Sequence, residues 1–279
     1  MKILIVLIRW KGGVGRIIES IKPLLEKAGN EVEVISREDD LKSYSLKDSF
    51  FKLRREVKKR DYDILYTQDW SCALPFLGFR NHYCSFQGFE THKIGKLLQG
   101  VVGRIMGKHL FVIHPLQKKQ FPKSTLVYAG VDKNVFKNLN LKREKGTVGF
   151  ANWHNDNYNY DKIKIAVEKA GLKMVDTNLS LSQKELVRFY NKIETFISLP
   201  ETFAGFNITW IEAMSCGVQR IIGNNNGIGP YLDINHVEDF KSIEDSLKNG
   251  KIMADKKISK DFSWNAYVDK LEGVFNENT

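Results

Sequence analysis

The strongest constraint on the fold lies within the first 35 residues. The run Lys2–Leu7 (KILIVL) is apolar after its first residue, which is typical of a strand buried on both faces of a parallel sheet. A glycine-rich turn follows, then a helical pattern of apolar residues that ends at Gly29, and then the segment Glu31–Ile35 (EVEVI). This order predicts a strand–helix–strand unit with parallel strands and a right-handed crossover.

Strand and helix patterns alternate in two successive series along the chain. A polar segment, Asn138–Lys145 (NLNLKREK), ends the first series, and Thr147–Phe150 (TVGF) opens the second. The length of 279 residues suits about two domains. We therefore predict an α/β fold with two Rossmann-like domains whose parallel sheets face a central cleft. The predicted parts are residues 1–140, residues 141–262, and a final helix over 263–279 that packs back on the first domain.

Composition excludes several classes of protein. The chain is 42% hydrophobic, too apolar for a disordered protein. Its longest apolar run, Ile3–Ile8, has six residues, whereas a membrane-spanning helix needs about 20. Arg9 and Trp10 follow that run, so we expect no secretory signal. The three cysteines lack CxxC spacing, which argues against disulfides or zinc and favours a cytoplasmic location.

The net charge of +10 is densest in the segment Leu46–Arg60 (LKDSFFKLRREVKKR). Apolar residues recur there every three or four positions, which predicts an amphipathic helix with a basic face. The simplest interpretation is a solvated surface helix. The alternatives are contact with an anionic membrane surface, which would make the protein peripheral, or with a phosphorylated ligand. Nucleic acid is disfavoured, because the sequence has no zinc finger or RNP-type motif.

The glycine-rich turn Lys11–Ile17 (KGGVGRI) is similar to the phosphate loop of partition-type ATPases. That loop needs a lysine for the phosphates and a hydroxyl for magnesium, but this chain has Arg16 and Ile17 in those places. What remains is a backbone argument. Gly12 and Gly13 let the main chain approach a ligand closely, where the first N–H groups of a helix favour an anion. A tight turn without a ligand is the alternative.

The segment Leu199–Gly217 (LPETFAGFNITWIEAMSCG) is the second candidate site. Asn207 is a candidate N-cap for a helix that would point its first N–H groups at a ligand. Glu212 would lie one turn into that helix, at the carboxyl edge of the sheet, where ligands bind in such folds. Its carboxylate suits sugar or ribose hydroxyls, although a cap or a surface acid is the alternative.

Five segments in this order resemble the retaining glycosyltransferases of family 4, which have the GT-B fold. They are KILIV…GGVGR, YDILYTQD, LVYAGVDKNVF, GFNITWIEAMSCGVQRIIG and FSWNAYVDKL. The resemblance covers nearly the whole chain. It implies transfer of a sugar from a nucleotide-diphosphate donor, most often a UDP-sugar, to a hydroxyl acceptor, with retention and without metal or other cofactor.

The resemblance also assigns residues. Glu212 matches the glutamate that binds the donor ribose. Further matches are the residues of two backbone loops that face the donor: Gly12, Gly13, Gly205, Phe206 and Asn207. Ile208 is a further candidate through its N–H group at the start of the helix that follows Asn207.

The chain departs from the family pattern at three places. The family's sugar-binding glutamate falls at Ala204, so Glu201 is the candidate substitute. Phe150 stands where an arginine is usual, so Lys162 becomes the candidate cation for the diphosphate. Gln87 stands where a histidine is frequent. A glutamine side chain donates hydrogen bonds but cannot take up a proton as a general base would. A nucleotide-sugar 2-epimerase of the same fold and a catalytically silent sugar-nucleotide binder remain the alternatives.

Overall fold

The computed structural model describes residues 1–152, 154–177, 181–201, 206–252 and 260–277, without the side chains of Phe240 and Lys260. Contacts between residues divide the chain into two units. The first consists of residues 1–130 together with 264–279, and the second of residues 131–263.

Each unit contains one sheet, and every strand pair in both sheets is parallel. The strands are β1 Lys2–Leu7, β2 Glu31–Ser36, β3 Ile64–Gln68, β4 His82–Phe86, β5 Leu110–Val112, β6 Thr125–Leu126, β7 Glu144–Phe150, β8 Lys173–Asp176, β9 Ile193–Ile197, β10 Arg220–Gly223 and β11 Asn235–His236. Their order is β2-β1-β3-β4-β5-β6 in the first sheet and β11-β10-β9-β7-β8 in the second.

Helices connect these strands, as parallel pairing requires. They are α1 Gly13–Lys27, α2 Leu46–Val57, α3 Trp70–Ala73, α4 Lys93–Met106, α5 Pro115–Gln120, α6 Tyr160–Lys169, α7 Gln183–Lys192, α8 Thr209–Ser215, α9 Phe240–Asn249 and α10 Trp264–Asn276. Within the described residues, none of them is sufficiently long and apolar to cross a membrane.

Helices cover both faces of the first sheet, which explains why β1 is apolar without alternation. On one face, Leu65 of β3 packs in a cluster with Leu53 of α2 and with Phe76. On the other face, Tyr66 makes edge-on ring contacts with Phe111 and with Phe275 of α10. The first unit therefore includes α10, which also packs beside α1.

The side chain of Arg143 links two connecting segments of the second unit. The Arg143 guanidinium donates four hydrogen bonds of 2.7–2.9 Å to backbone carbonyls. Two of these carbonyls lie at the α7–β9 junction and two in the turn after α8, at Cys216 and Gly217. Burial lowers the pKa of Arg143 from its usual value. This side chain ties together elements that are distant in sequence.

The structure confirms the predicted strand Lys2–Leu7 residue for residue as β1. The predicted polar segment Asn138–Lys145 is shorter than expected, because β7 begins at Glu144. Charged residues are tolerated there because Glu144 and Lys145, the first two residues of β7, are exposed. The polarity of these residues therefore hid the start of the strand.

Candidate functional site

The carboxyl edge of the second sheet gathers buried polar side chains. Ser198 directly follows β9, and its fully buried hydroxyl accepts hydrogen bonds from Asn152 Nδ2 at 2.7 Å and from Asn207 Nδ2 at 3.0 Å. Asn152 lies just beyond β7, which pairs with β9. Adjacent parallel strands thus bring their carboxyl-terminal loops together, as expected where such folds bind ligands.

Asn159 brings together two of the predicted catalytic residues. Its Nδ2 donates to Glu201 Oε1 at 3.1 Å and to the Leu199 carbonyl at 3.0 Å, and its Oδ1 accepts from Lys162 Nζ at 2.9 Å. Asn159 has a φ of 54°, a conformation that asparagine adopts more readily than most residues. One amide therefore places a carboxylate and an exposed ammonium group at the same edge of the sheet.

Asparagines also fix the loop that carries Glu201. The Pro200 carbonyl accepts hydrogen bonds from Asn224 Nδ2 at 2.9 Å and Asn226 Nδ2 at 2.8 Å. The Glu201 N–H donates to the Asn157 carbonyl at 2.8 Å. The positions of Ala204 and Gly205, including the predicted donor contact of Gly205, lie outside the described residues.

The prediction that Asn207 caps the following helix is wrong. Helix α8 begins at Thr209, and Ile208 occupies the N-cap position with no side-chain cap. Asn207 has a φ of 55°, and its side chain is used elsewhere, donating to Ser198 and accepting from Thr209 Oγ1 at 3.0 Å. Its role is therefore to turn the chain before α8. Phe206, next to it, is buried and lies 6.1 Å from the ring of Phe262.

Glu212 is a buried carboxylate within α8. Its exposed fraction is 5%, and Oε2 accepts a hydrogen bond from the Tyr190 hydroxyl at 3.0 Å. Nearby, burial raises the pKa of the Cys216 thiol to about 12, and the charge of Glu212 adds to this increase. The raised pKa favours the protonated thiol of Cys216 at neutral pH.

The aromatic residues after β7 pack on one another. The rings of His154 and Tyr160 are stacked at 4.0 Å with an interplanar angle of 14°. Asp176 at the end of β8 lies 3.1 Å from His154 Nε2 and accepts from the Tyr160 hydroxyl at 3.3 Å. Trp153 lies outside the described residues. The two stacked rings thus form part of the packing of this loop.

The glycine turn of the first unit contains two kinds of glycine. A Cβ on Gly15 would lie 1.6 Å from the Trp10 carbonyl oxygen, so this position is set by packing. Gly12 has a φ of 113°, where only glycine is unstrained. Gly13 begins α1, and a Cβ there would meet nothing within 4 Å. Gly12 and Gly13, the predicted donor contacts in this turn, thus both have open space where a Cβ would lie.

We expect Gly15→Ala to lower the free energy of unfolding by about 2 kcal/mol, because the added methyl group must displace the Trp10 backbone. Gly13→Ala is the matched control and should unfold at the same denaturant concentration as the unmodified chain or a higher one, since alanine favours helix. Urea unfolding measures both. Equal destabilisation of the two variants would contradict the packing role of Gly15.

Gln87 belongs to a polar network inside the first unit. Its Nε2 donates to Gln68 Oε1 at 2.8 Å and to Ser85 Oγ at 2.7 Å, and lies 3.4 Å from the hydroxyl of Tyr267 in α10. The Gln87 Oε1 is buried and has no hydrogen-bond partner within the described part of the chain. Its donors are thus used inside the unit, and its oxygen remains as an acceptor.

Sequence reasoning missed Asp69, which follows β3. Its φ of 76° is unfavourable for a residue other than glycine, and its carboxylate accepts from the Ser71 N–H at 3.2 Å. Burial raises the pKa of Asp69 to about 6, with a smaller contribution from the charge of Glu90. Arg37, 8% exposed, donates to Ser71 Oγ at 3.4 Å. Asp69 ends the quoted segment YDILYTQD, but nothing in that pattern signals its raised pKa.

Asp69→Asn should stabilise the protein more at pH 7.5 than at pH 5. The folded-state pKa lies above the value of 3.8 for the unfolded chain, so the stability that protonation supplies is present at low pH and is lost as pH rises through about 6. We expect a gain about 1.5 kcal/mol larger at the higher pH. Urea unfolding at both pH values measures it. A gain independent of pH would show that Asp69 titrates normally.

Within the described residues, no group of three or more His, Cys, Asp or Glu side chains could hold a metal ion.

Comparison with known proteins identifies the fold. Sucrose-phosphate synthase from Thermosynechococcus elongatus matches with a TM-score of 0.69 at 12% identity, over 99% of each chain. The lipopolysaccharide outer core galactosyltransferase WaaB gives 0.61 at 13% identity, over 100% of each chain. HepE from Anabaena, solved with UDP and glucose, gives 0.60 at 13% identity, over 99% of this chain and 98% of that one. No protein-family model and no curated protein sequence matches the chain. The predicted α/β fold with two parallel sheets is confirmed, and it matches GT-B glycosyltransferases.

Proposed function

We propose that this protein is a retaining glycosyltransferase that moves a sugar from a nucleotide-diphosphate donor, UDP in first place, to a hydroxyl acceptor. The observation that carries the proposal is the buried carboxylate of Glu212 in α8, in a fold shared with glycosyltransferases. A carboxylate accepts hydrogen bonds only, so it suits the two hydroxyls of a ribose and disfavours a phosphate at the same point.

Each proposed role follows from the chemistry of the side chain. Lys162 offsets the negative charge that develops on the diphosphate as the bond to the sugar breaks. Glu201 accepts hydrogen bonds from the sugar, and Asn159 holds both residues in place. The proposed backbone contacts to the diphosphate and sugar are Gly205, Phe206, Asn207 and Ile208. In the first unit, Gly12 and Gly13 offer close backbone approach, and the Gln87 amide contacts a sugar hydroxyl.

The proposed mechanism uses neither a metal ion nor a protein base. The leaving phosphate takes the proton of the acceptor hydroxyl on the same face of the sugar, so that the new bond keeps the anomeric configuration. The contribution of the protein is to position both substrates and to stabilise the departing diphosphate. The acceptor is proposed only as a hydroxyl on a glycan, a lipid or a protein-linked sugar.

Thermal unfolding with a panel of UDP-, GDP- and ADP-sugars tests the proposal. A donor that binds the folded state stabilises it by mass action, so we expect at least one of these compounds, a UDP-sugar first, to raise the unfolding temperature. If none of the panel changes that temperature, the proposal fails. Analysis of products with the donor alone identifies an epimerase by a free sugar epimer. Binding of a donor without transfer to any of a set of hydroxyl acceptors would identify a silent binder.

A further inference from the structure

Helix α4 carries large apolar side chains that face solvent. Four of them are exposed, with exposed fractions of 73% for Ile94, 65% for Leu97, 40% for Val101 and 58% for Ile105. We refer to these four side chains as the α4 stripe. Such residues are not needed for folding, because they are not part of the core beneath the helix.

The α4 stripe is narrow and continuous. Its spacings of three, four and four residues place the side chains within an arc of about 80° on a helix with 3.6 residues per turn, over a length of about 17 Å. The side of α4 that packs on the protein carries different residues, among them Val102 and Met106. Leu98, which is partly buried against that core, lies between the two sets, so the apolar surface of the helix extends beyond the part that the fold buries. An exposed patch of this kind marks an interaction surface.

Cations flank the stripe. Lys93, Lys96 and Arg104 are all exposed, and α4 contains no aspartate or glutamate. Among the ion pairs of the described residues, none involves α4. The stripe and its border thus combine apolar and positive surface.

The basic helix α2 differs in this respect. Lys52 pairs with Asp48 at 2.9 Å, and just beyond the helix Lys59 pairs with Glu56 at 2.7 Å and Arg60 with Glu33 at 3.2 Å. Much of the positive charge of this segment is balanced by neighbouring carboxylates. The contact of residues 46–60 with an anionic membrane stays a prediction, and α4 offers the better-suited surface.

We propose that α4 docks this protein on an anionic lipid bilayer. The helix would lie in the plane of the surface, with the α4 stripe at the boundary between headgroups and acyl chains and with Lys93, Lys96 and Arg104 on lipid phosphates. This binding goes beyond the proposed sugar transfer and does not depend on it. An anionic bilayer matches both the apolar stripe and its cationic border, because it offers acyl chains to the first and negatively charged headgroups to the second.

A second copy of this chain fits the surface less well. A stable protein interface uses about 20–30 residues on each side, whereas the stripe has four side chains. In a symmetric pair the same patch would face itself. The cationic border would then oppose its own copy without an acidic residue of α4 to balance it.

Co-sedimentation of the full chain with vesicles tests the proposal. We expect binding to vesicles that contain phosphatidylglycerol, weaker binding to phosphatidylcholine alone, and loss of the difference at high salt. The double variant Ile94→Ser with Leu97→Ser should bind at least about 10-fold more weakly, since two apolar side chains leave the bilayer boundary. The double variant Lys93→Gln with Lys96→Gln leaves the apolar stripe unchanged, so it should lose the preference for anionic vesicles.

The matched control is Ile165→Ser, which changes a side chain that is 48% exposed on α6 in the second unit. It should sediment with vesicles like the unmodified chain. All of these positions are exposed, so the variants should fold, and circular dichroism checks this. Unchanged vesicle binding in the stripe variant would overturn the proposal. So would a dimer in light scattering that the stripe variant converts to monomer while vesicles capture neither. A negative result with nucleotide sugars would leave the lipid measurement unaffected.

Discussion

A Glu212→Gln variant is expected to bind UDP about 100-fold more weakly than the unmodified protein, as measured by calorimetry. The proposed ribose hydroxyls donate to a charged carboxylate, and a hydrogen bond to a charged group contributes about 1.5–3 kcal/mol. A 100-fold loss corresponds to about 2.7 kcal/mol. Glutamine keeps the volume of the side chain and an oxygen that can accept from the Tyr190 hydroxyl, so the change isolates the charge.

The control for this experiment is Glu168→Gln, which makes the same chemical change on the exposed side of α6. Its affinity for UDP should match that of the unmodified chain. Thermal unfolding without ligand checks that both variants fold. If Glu212→Gln binds UDP normally, or if Glu168→Gln loses as much affinity, the nucleotide is not held where we propose.

The Arg143→Met variant is expected to lose about 4 kcal/mol of unfolding free energy, because four backbone carbonyls lose a charged donor at once. Methionine retains the apolar part of the side chain, so the measured loss reports mainly on the hydrogen bonds. Urea unfolding followed by circular dichroism gives the value.

The neighbouring Lys142→Met is the control, since Lys142 is exposed. It should leave stability within about 0.5 kcal/mol of the unmodified chain. The loss of stability in Arg143→Lys should lie between those of Arg143→Met and Lys142→Met. An ammonium group lacks the planar fork of the guanidinium and cannot reach both pairs of carbonyls. A loss below about 1 kcal/mol for Arg143→Met would mean that water replaces the guanidinium at these carbonyls.

The sheets were predictable because burial on both faces leaves a direct mark on the sequence. The strand β1 is apolar residue after residue, and Ile3–Leu7 are at most 1% exposed. Helix α7 was predictable from a different local signal, the capping box between Ser182 and Glu185 at its start. In both cases the signal is local, so it can be found in one sequence.

The site was only partly predictable because its contacts join distant segments. Glu201 and Lys162 were candidates from the sequence, but nothing local indicated that Asn159 joins them. A signal was present in the density of asparagines over 152–159 and 224–226. Asn207 shows that a local signal can also be ambiguous. Its residue type suits an N-cap and also a positive φ, and only the contact with Ser198 decides between the two.

The placement of α10 affects how the protein is made. The first unit needs residues 264–276, which leave the ribosome after the entire second unit has been synthesised. Until then Tyr66, Tyr83 and Phe111 lack the ring of Phe275 that contacts all three. The nascent amino-terminal segment therefore exposes an aromatic sheet face during translation, so a chaperone that shields such surfaces should favour its maturation.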